Sequence, residues 1–350
     1  MRRRQEGPSR VPETTYPAGW NVEVRADSSA ASMRHLALVY RDPGEYANVV
    51  SGFLQAGLAA GARGFAMVPA ARHADLRAAM NSGSEDLVFA DMTGLGANPA
   101  RIIPVIESFV GDGRGPVRVV AEPIWPGRTS AENREATKHE ALINLAFAGR
   151  DVQILCPYDA ACLAGSVLAD ARRTHPLLMS SEGLAASRDY AGAGKLPTTC
   201  SAELPPRPAY ARAMAFNGDL RRVRSFTERE IRAAELPASR AAEVVLAVSE
   251  VAANTLKHAG GQGTIWCWQA PGEVICEVRD DGHIADPLAG RRLPDPEQVG
   301  GHGLWLVNRC VDLAEVRSSG DGTVTRMHVR LPGFRTPGAE PVRLAGTHAV

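Results

Sequence analysis

The chain carries no excess charge: 39 Lys and Arg stand against 39 Asp and Glu in 350 residues. Without a field of one sign, bulk electrostatics draws it neither to nucleic acid nor to a membrane surface, and neither is expected as a direct partner. No run of 18 uninterrupted apolar residues occurs, which argues against a spanning helix. The basic start Met1–Arg4 is followed by neither an apolar stretch nor a small-residue cleavage site, so no signal peptide is read and a cytoplasmic location is expected. The six cysteines, at 156, 162, 200, 267, 276 and 310, form no Cys-x-x-Cys pair, and reduced, packed thiols are the default. There is no Gly-x-x-x-x-Gly-Lys-Ser/Thr loop, and residues 176–257 hold no histidine. The first absence excludes a working P-loop.

The length suits two domains, and 45% apolar residues can build two cores. Residues 1–33, rich in Arg, Ser and Pro without a sustained period, are expected to be disordered. From 34 to 182 the pattern alternates. Strand-like runs at His35–Tyr40, Gly64–Pro69, Leu87–Asp91, Val117–Glu122 and Val152–Cys156 are separated by helical patterns at Glu45–Ala60, Ala70–Met80, Pro99–Val110, Ala131–Phe147 and Ala160–Arg173. Five strand–helix units imply an α/β domain with a mostly parallel sheet covered on both faces. In such sheets ligands sit beyond the carboxyl ends of the strands. Asp91, Glu122, Cys156 and Asp159 would line such a pocket, and Glu140 could join them from its helix. Helix and turn capping is the alternative reading for each. Residues 183–212 read as an Ala/Gly/Pro-rich linker, semi-extended at Pro205-Pro206-Arg207-Pro208, and 334–350 as a loose tail.

Residues 213–333 carry a different pattern. Val244, Val245, Val248, Val251, Ala252 and Leu256 make one apolar helical stripe, and Glu250, Asn254, Lys257 and His258 share the other face. A solvated polar face is the bland reading. The sharper one uses the chemistry: an Asn oxygen is a hard, neutral ligand for Mg²⁺, and a Glu one turn away can take a proton from an attacking hydroxyl. Lys257 could reach a phosphate as a point charge. Two hairpins follow, Thr264–Trp268 with Glu273–Val278, and Leu313–Ser319 with Thr323–Leu331. The first runs into Asp280-Asp281-Gly282, where a carboxylate could accept from the exocyclic amine of adenine beside a close-approach glycine. Gly300-Gly301-His302-Gly303 then opens a helical run, presenting backbone N–H groups to an anion. His302 reads either as a phosphate contact or as an exposed loop residue. Thr323 either supports Asp280 or simply favours its strand.

In this order, Glu250-x-x-x-Asn254, Asp280-x-Gly282, Gly301-x-Gly303 and a threonine-bearing strand resemble the GHKL ATPase superfamily, and more closely the anti-sigma-factor serine kinases. That resemblance implies an α+β ATP-binding sandwich holding ATP and Mg²⁺. Glu250 would be the general base, Asn254 the Mg²⁺ ligand, Asp280 with Gly282 the adenine site, and Gly301 and Gly303 the phosphate lid. Trp305 and Val324 depart from the family's glycine and second threonine. Its members sequester a sigma factor, phosphorylate a STAS-type anti-anti-sigma protein, and often form a homodimer. The first domain is similar to the MEDS sensory domain on His35–Asp42, Glu122–Arg128, His139–Asn144 and Leu155–Asp159. That resemblance implies a RecA-like fold without Walker machinery that senses a small organic ligand. His35 opens its strand, at the end opposite the expected pocket.

The leading expectation is therefore an ATP-dependent serine/threonine protein kinase under sensory control. A nucleotide-gated partner-switching protein without catalysis is the alternative. A sensor histidine kinase would need an acceptor histidine just before the ATP domain, and His175, next to Pro176, is the nearest.

Overall fold

The computed structural model describes residues 33–80, 83–111, 115–294, 297 and 301–333. The expectations for residues 1–32 and 334–350, and for Gly300, lie outside the described residues.

The first strand, β1 (Arg34–Tyr40), buries Leu36, Ala37, Leu38 and Tyr40 on both faces, as a central parallel strand must. Helix α1 (Pro43–Ala59) begins where Asp42 accepts the Glu45 N–H and Pro43 sets the first helical φ. There follow β2 (Arg63–Val68), α2 (His73–Ala79), β3 (Leu87–Asp91), α3 (Met92–Leu95), α4 (Ile102–Val110) and β4 (Val117–Ala121). Next come α5 (Ser130–Ala146), β5 (Val152–Asp159), α6 (Gly165–Thr174) and β6 (Leu177–Ser180), and β7 (Gly183–Ala186) turns back against β6. The sheet order is β3-β2-β4-β5-β1-β6-β7, and every pair but the last is parallel. One face packs on α4, α5 and α6 around Ile103, Leu142 and Ile154, the other on α1 and α2 around Val50, Phe53 and Leu76.

Helix α5 carries a full capping box between Thr129 and Glu132, which fixes its start against the Trp-Pro-Gly turn before it. Three expectations change here. The fifth strand does not end at Cys156 but runs to Asp159, because β1 pairs along its whole length, Pro157 included. Cys156 is therefore mid-strand. The helix expected from Ala160 begins at Gly165. Residues 183–212 are not a free spacer: they include β7 and the short α7 (Thr198–Ser201), and Gly194 N–H donates to Ala141 O.

The second sheet starts one strand earlier than the hairpins suggest. β8 (Arg212–Asn217) leads into α8 (Leu220–Ile231) and the 21-residue α9 (Ala238–His258). β9 (Gln262–Ala270) and β10 (Glu273–Asp280) form the first hairpin, Gly272 taking φ +79° in its turn. Helix α10 (Gly303–Cys310) precedes β11 (Leu313–Ser319) and β12 (Gly322–Arg330). The order β11-β12-β10-β9-β8 is antiparallel throughout. Its apolar face meets α8 and α9 through Val223, Phe226, Val244, Val248, Ile265 and Val278. A buried aliphatic side chain is worth roughly 1.5–3 kcal/mol, so this one stripe holds the sandwich. The two architectures match the expected α/β and α+β classes.

The two bodies touch along α5. Glu135 receives Arg317 at 2.7 Å and Arg291 at 2.5 Å, Arg134 meets Glu315 at 2.9 Å, and Lys138 Nζ donates to Val316 O at 3.0 Å. Arg101, just before α4, donates to the carbonyls of Asn308, Arg309 and Val311 at the end of α10, which satisfies a helix C-terminus with a cation. Among the described residues no helix is long and apolar enough to cross a membrane.

Candidate functional site

Helix α9 places Glu250 and Asn254 half-buried on one side, whereas Lys257 and His258 in its last turn are exposed. The start of α10 packs directly on the first two. A Cβ at Gly303 would stand 3.2 Å from Glu250 Oε2 and 3.1 Å from Asn254 Nδ2. A methyl there would press on both side chains, and the first-turn N–H groups of α10, which have no acceptor within a helix of their own, lie beside them. Gly301 takes φ +83°. His302 is half-buried, not exposed, and its Nε2 is buried without a hydrogen-bond partner among the described residues. An orphaned polar atom beside a glycine turn suits an anion.

Asp280 is brought to the same region through Thr255, the neighbour of Asn254. Thr255 Oγ1 donates to Asp280 Oδ2 at 2.6 Å, and Gly282 N–H donates to Oδ1 at 2.9 Å. Each carboxylate oxygen can accept twice, so Asp280 keeps capacity for an external donor. A Cβ at Gly282 would meet Ala259 Cβ at 2.6 Å, so glycine is what lets the chain leave β10 against the end of α9. Thr323 lies opposite Asp280 in the β10–β12 register and donates to Gly282 O at 2.8 Å, bracing the turn. A cavity of about 480 Å³ opens beside Asp280, lined by Phe216, Asn217, Gly263 and Asp281, and another of about 580 Å³ lies where α5 faces β11 and β12. Neither is lined by Glu250 or Asn254, which the glycine turn covers instead. Sequence reasoning missed Thr255 and Gly263. Their signal was adjacency: Thr255 follows Asn254 on the buried face, and Gly263 pairs with Asp280.

The donor set fits Mg-ATP: a neutral oxygen and a carboxylate one turn apart, a cradle that a methyl would fill, and a braced Asp.

The sensory candidates do not assemble as expected. Asp91 Oδ1 accepts from Thr93 N–H at the start of α3 and from Ala70 N–H just beyond β2, so it ties two strand ends together, while Asp159 Oδ1 accepts from Ala161 N–H in its own turn. Glu122 sits in a buried network, with the Asp159 carboxylate near enough to act on it, Arg72 Nε at 3.3 Å and Tyr46 Oη donating at 3.4 Å. Burial pushes its carboxyl up to about 7 against the opposing pull of Arg72. Arg72 lies over the Tyr46 ring, 4.3 Å from its centroid. Cys156 belongs elsewhere. Its Sγ lies 3.4 Å from His35 Nε2 and 3.4 Å from Glu140 Oε2, under α5 and away from the carboxyl ends of the strands. Glu140 likewise joins this cluster and not Glu122, and Tyr158 Oη donates to its Oε1 at 3.0 Å. Burial lowers both His35 and His175 to about 3, so both rings are neutral.

Comparison with known proteins agrees with this division. Residues 34–176 match the family described as the MEthanogen/methylotroph, DcmR Sensory domain (MEDS), and residues 215–329 match the histidine kinase-like ATPase domain. Among solved structures, the RsbU and RsbW domains of Rv1364c from Mycobacterium tuberculosis are similar at 18% identity and TM-score 0.27, over 35% of this chain and 32% of that one. The histidine kinase AdeS of Acinetobacter baumannii is similar at 10% identity and TM-score 0.22, over 35% of this chain and 68% of that one. This chain thus spans about a third of the mycobacterial chain's length. No curated protein matches it.

Proposed function

We propose, for a chain that joins a MEDS sensory domain to a histidine kinase-like ATPase domain, that it is an ATP-dependent serine/threonine kinase of the anti-sigma type. Its substrate would be a STAS-type anti-anti-sigma protein and its sequestered partner a sigma factor. A small organic molecule at the first domain would control it. The observation that carries the reading is the convergence of Gly303 on Glu250 and Asn254, with Asp280 tied to the same helix through Thr255.

In this reading Asn254 holds Mg²⁺, Asp280 accepts from the adenine amine, and Gly282 lets the base approach. Gly301, His302 and Gly303 present their N–H groups and ring to the phosphates, with Lys257 adding charge and Thr323 bracing the Gly282 turn. Glu250 removes the proton from the attacking hydroxyl. Mg-ATP, when bound, supplies the transferable phosphoryl group and the cation that offsets its charge. Sensory control has a short route: α10 starts at Gly303, and its last carbonyls are held by Arg101 of the first domain. A ligand that moves Arg101 or α5 therefore bears on the lid.

The test is a pair of variants with candidate antagonists and labelled ATP. Asn254→Ala is expected to lose Mg-ATP binding by calorimetry, and Glu250→Ala to bind ATP without transferring phosphate. Undiminished affinity in Asn254→Ala would refute the reading. The contact of the glycine turn with Glu250 favours a second reading, in which nucleotide only moves the turn to switch partners. Nucleotide-dependent partner release without phosphate transfer by the wild-type chain would select it.

A further inference from the structure

Four side chains from four separate elements meet inside the first domain: His35 on β1, Glu140 on α5, Cys156 on β5 and His175 after α6. All are fully buried, and their ligating atoms lie within 4.8 Å of one another. Neither the nucleotide site nor the Glu122 network uses them.

The hydrogen bonds around the cluster decide what each group presents to it. Asn144 Nδ2 donates to Glu140 O, Ala141 O and Thr174 O, so its Oδ1 is left to accept, and it receives His35 Nδ1–H at 3.2 Å. His175 Nδ1 lies 2.8 Å from Ala171 O, a carbonyl that can only accept, so this nitrogen also carries the hydrogen. With its hydrogen on Nδ1 each ring can offer Nε2 as a lone pair, and both Nε2 atoms face Glu140 Oε2, at 3.0 Å and 3.6 Å. His175 Nε2 is buried with no hydrogen-bond partner among the described residues. Two imidazole lone pairs turned on a carboxylate oxygen repel unless something positive lies between them. One proton on the carboxylate could bond to one ring and would leave the other unanswered.

A metal ion answers all four. Tetrahedral ligands about 2.0–2.3 Å from a common centre stand about 3.3–3.7 Å apart. Four of the six gaps, 3.0, 3.4, 3.4 and 3.6 Å, bracket that spacing, and all six lie within 4.8 Å. A thiolate and a carboxylate carry two negative charges, which one divalent ion neutralises in a dry interior. The Asn144 and Ala171 bonds are the outer partners that ligating histidines require. Thiolate with imidazole selects zinc over the hard, oxygen-seeking Mg²⁺.

We propose that His35, Glu140, Cys156 and His175 form a closed tetrahedral zinc site at the centre of the sensory domain. Because the site has no open position, its role is to tie β1, α5, β5 and the start of β6 together. Glu140 is on the helix that carries Arg134, Glu135 and Lys138 to the ATPase domain. The site thereby sets the position of the helix that joins the two bodies.

The test uses the full chain, produced with zinc supplied, desalted against EDTA and measured for metal. Stoichiometric zinc is expected. Refolding with Co²⁺ should give the intense visible bands of tetrahedral cobalt and a near-ultraviolet thiolate charge-transfer band. Cys156→Ser should lose the charge-transfer band. Asn144→Ala, which frees the His35 ring, should weaken zinc binding by roughly 10–100-fold. A folded wild-type chain that retains no zinc and takes up no cobalt overturns the proposal, and so does a charge-transfer band that survives Cys156→Ser. The wild-type cobalt spectrum decides the question even if a variant fails to fold.

Discussion

The two domains handle polar chemistry in opposite ways. In the ATPase domain the candidate groups are half-buried on the rim of an antiparallel sheet, within short segments of chain: Glu250 to Thr255, Asp280 to Gly282, and Gly301 to Gly303. In the sensory domain His35, Glu140, Cys156 and His175 are sealed inside a parallel sheet, drawn from positions up to 140 residues apart. A rim site keeps its groups reachable and its backbone donors free, as phosphate recognition requires. A sealed cluster must satisfy every lone pair internally. Accessibility and closure thus suit binding and bracing respectively.

The comparison breaks most visibly if Asn254→Ala leaves Mg-ATP binding intact in calorimetry, because complete loss is expected. The next effect is on the joint between the domains. Glu135→Ala would leave the buried Arg291 guanidinium without its carboxylate and take from Arg317 one of its two, the other being Glu315, and should cost about 3–5 kcal/mol. Thermal unfolding is expected to split into two transitions as the bodies separate, whereas a single unshifted transition would show the contact to be incidental. Gly282→Ala drives a methyl into Ala259 and should cost about 1–3 kcal/mol, with ATP affinity lowered as well. An unchanged melting temperature would contradict the tight passage described there.

The smallest effect is in the pH profile. Burial opposes charge on His328, but hydrogen bonds to Glu273 and Glu315 outweigh it and push the ring up to about 9, from 6.5. Burial also opposes charge on Glu315, yet His328 and Arg134 bring it down to about 2, from 4.5. Because the folded His328 value is the higher, its stabilisation is complete below about pH 6.5 and fades as pH rises through 9. The Glu315 contribution is present above about pH 4.5 and fades as pH falls through 2. His328→Gln should therefore remove on the order of 1 kcal/mol of stability at pH 6 and little above pH 9. Equal losses at both pH values would count against the ion pair.

How much of this was legible in the sequence follows the same contrast. Glu250, Asn254, Asp280 and Gly303 could be picked out because residues one turn apart, or at a strand exit, occupy related positions whatever surrounds them. Thr255 escaped because its role depends on β10 arriving beside α9. Cys156 was misplaced for a comparable reason. A strand ended at Cys156 puts the thiol at the sheet's rim, whereas pairing with β1 carries the strand to Asp159 and buries Cys156 in the middle. His35 then meets it because both side chains emerge on the same face of adjacent strands.

Local order was thus settled by the chain alone: alternation of strand and helix in the first domain, hairpins and an amphipathic helix in the second. These rest on periods of two and 3.6 residues, which each segment carries within itself. Only tertiary structure decided the strand order, the joining of α5 to β11 and of Arg101 to the end of α10, the seating of Gly303 on Glu250 and Asn254, and the meeting of two histidines, a thiol and a carboxylate. Each of those depends on which surfaces close against one another, and that is a property of packing between distant segments.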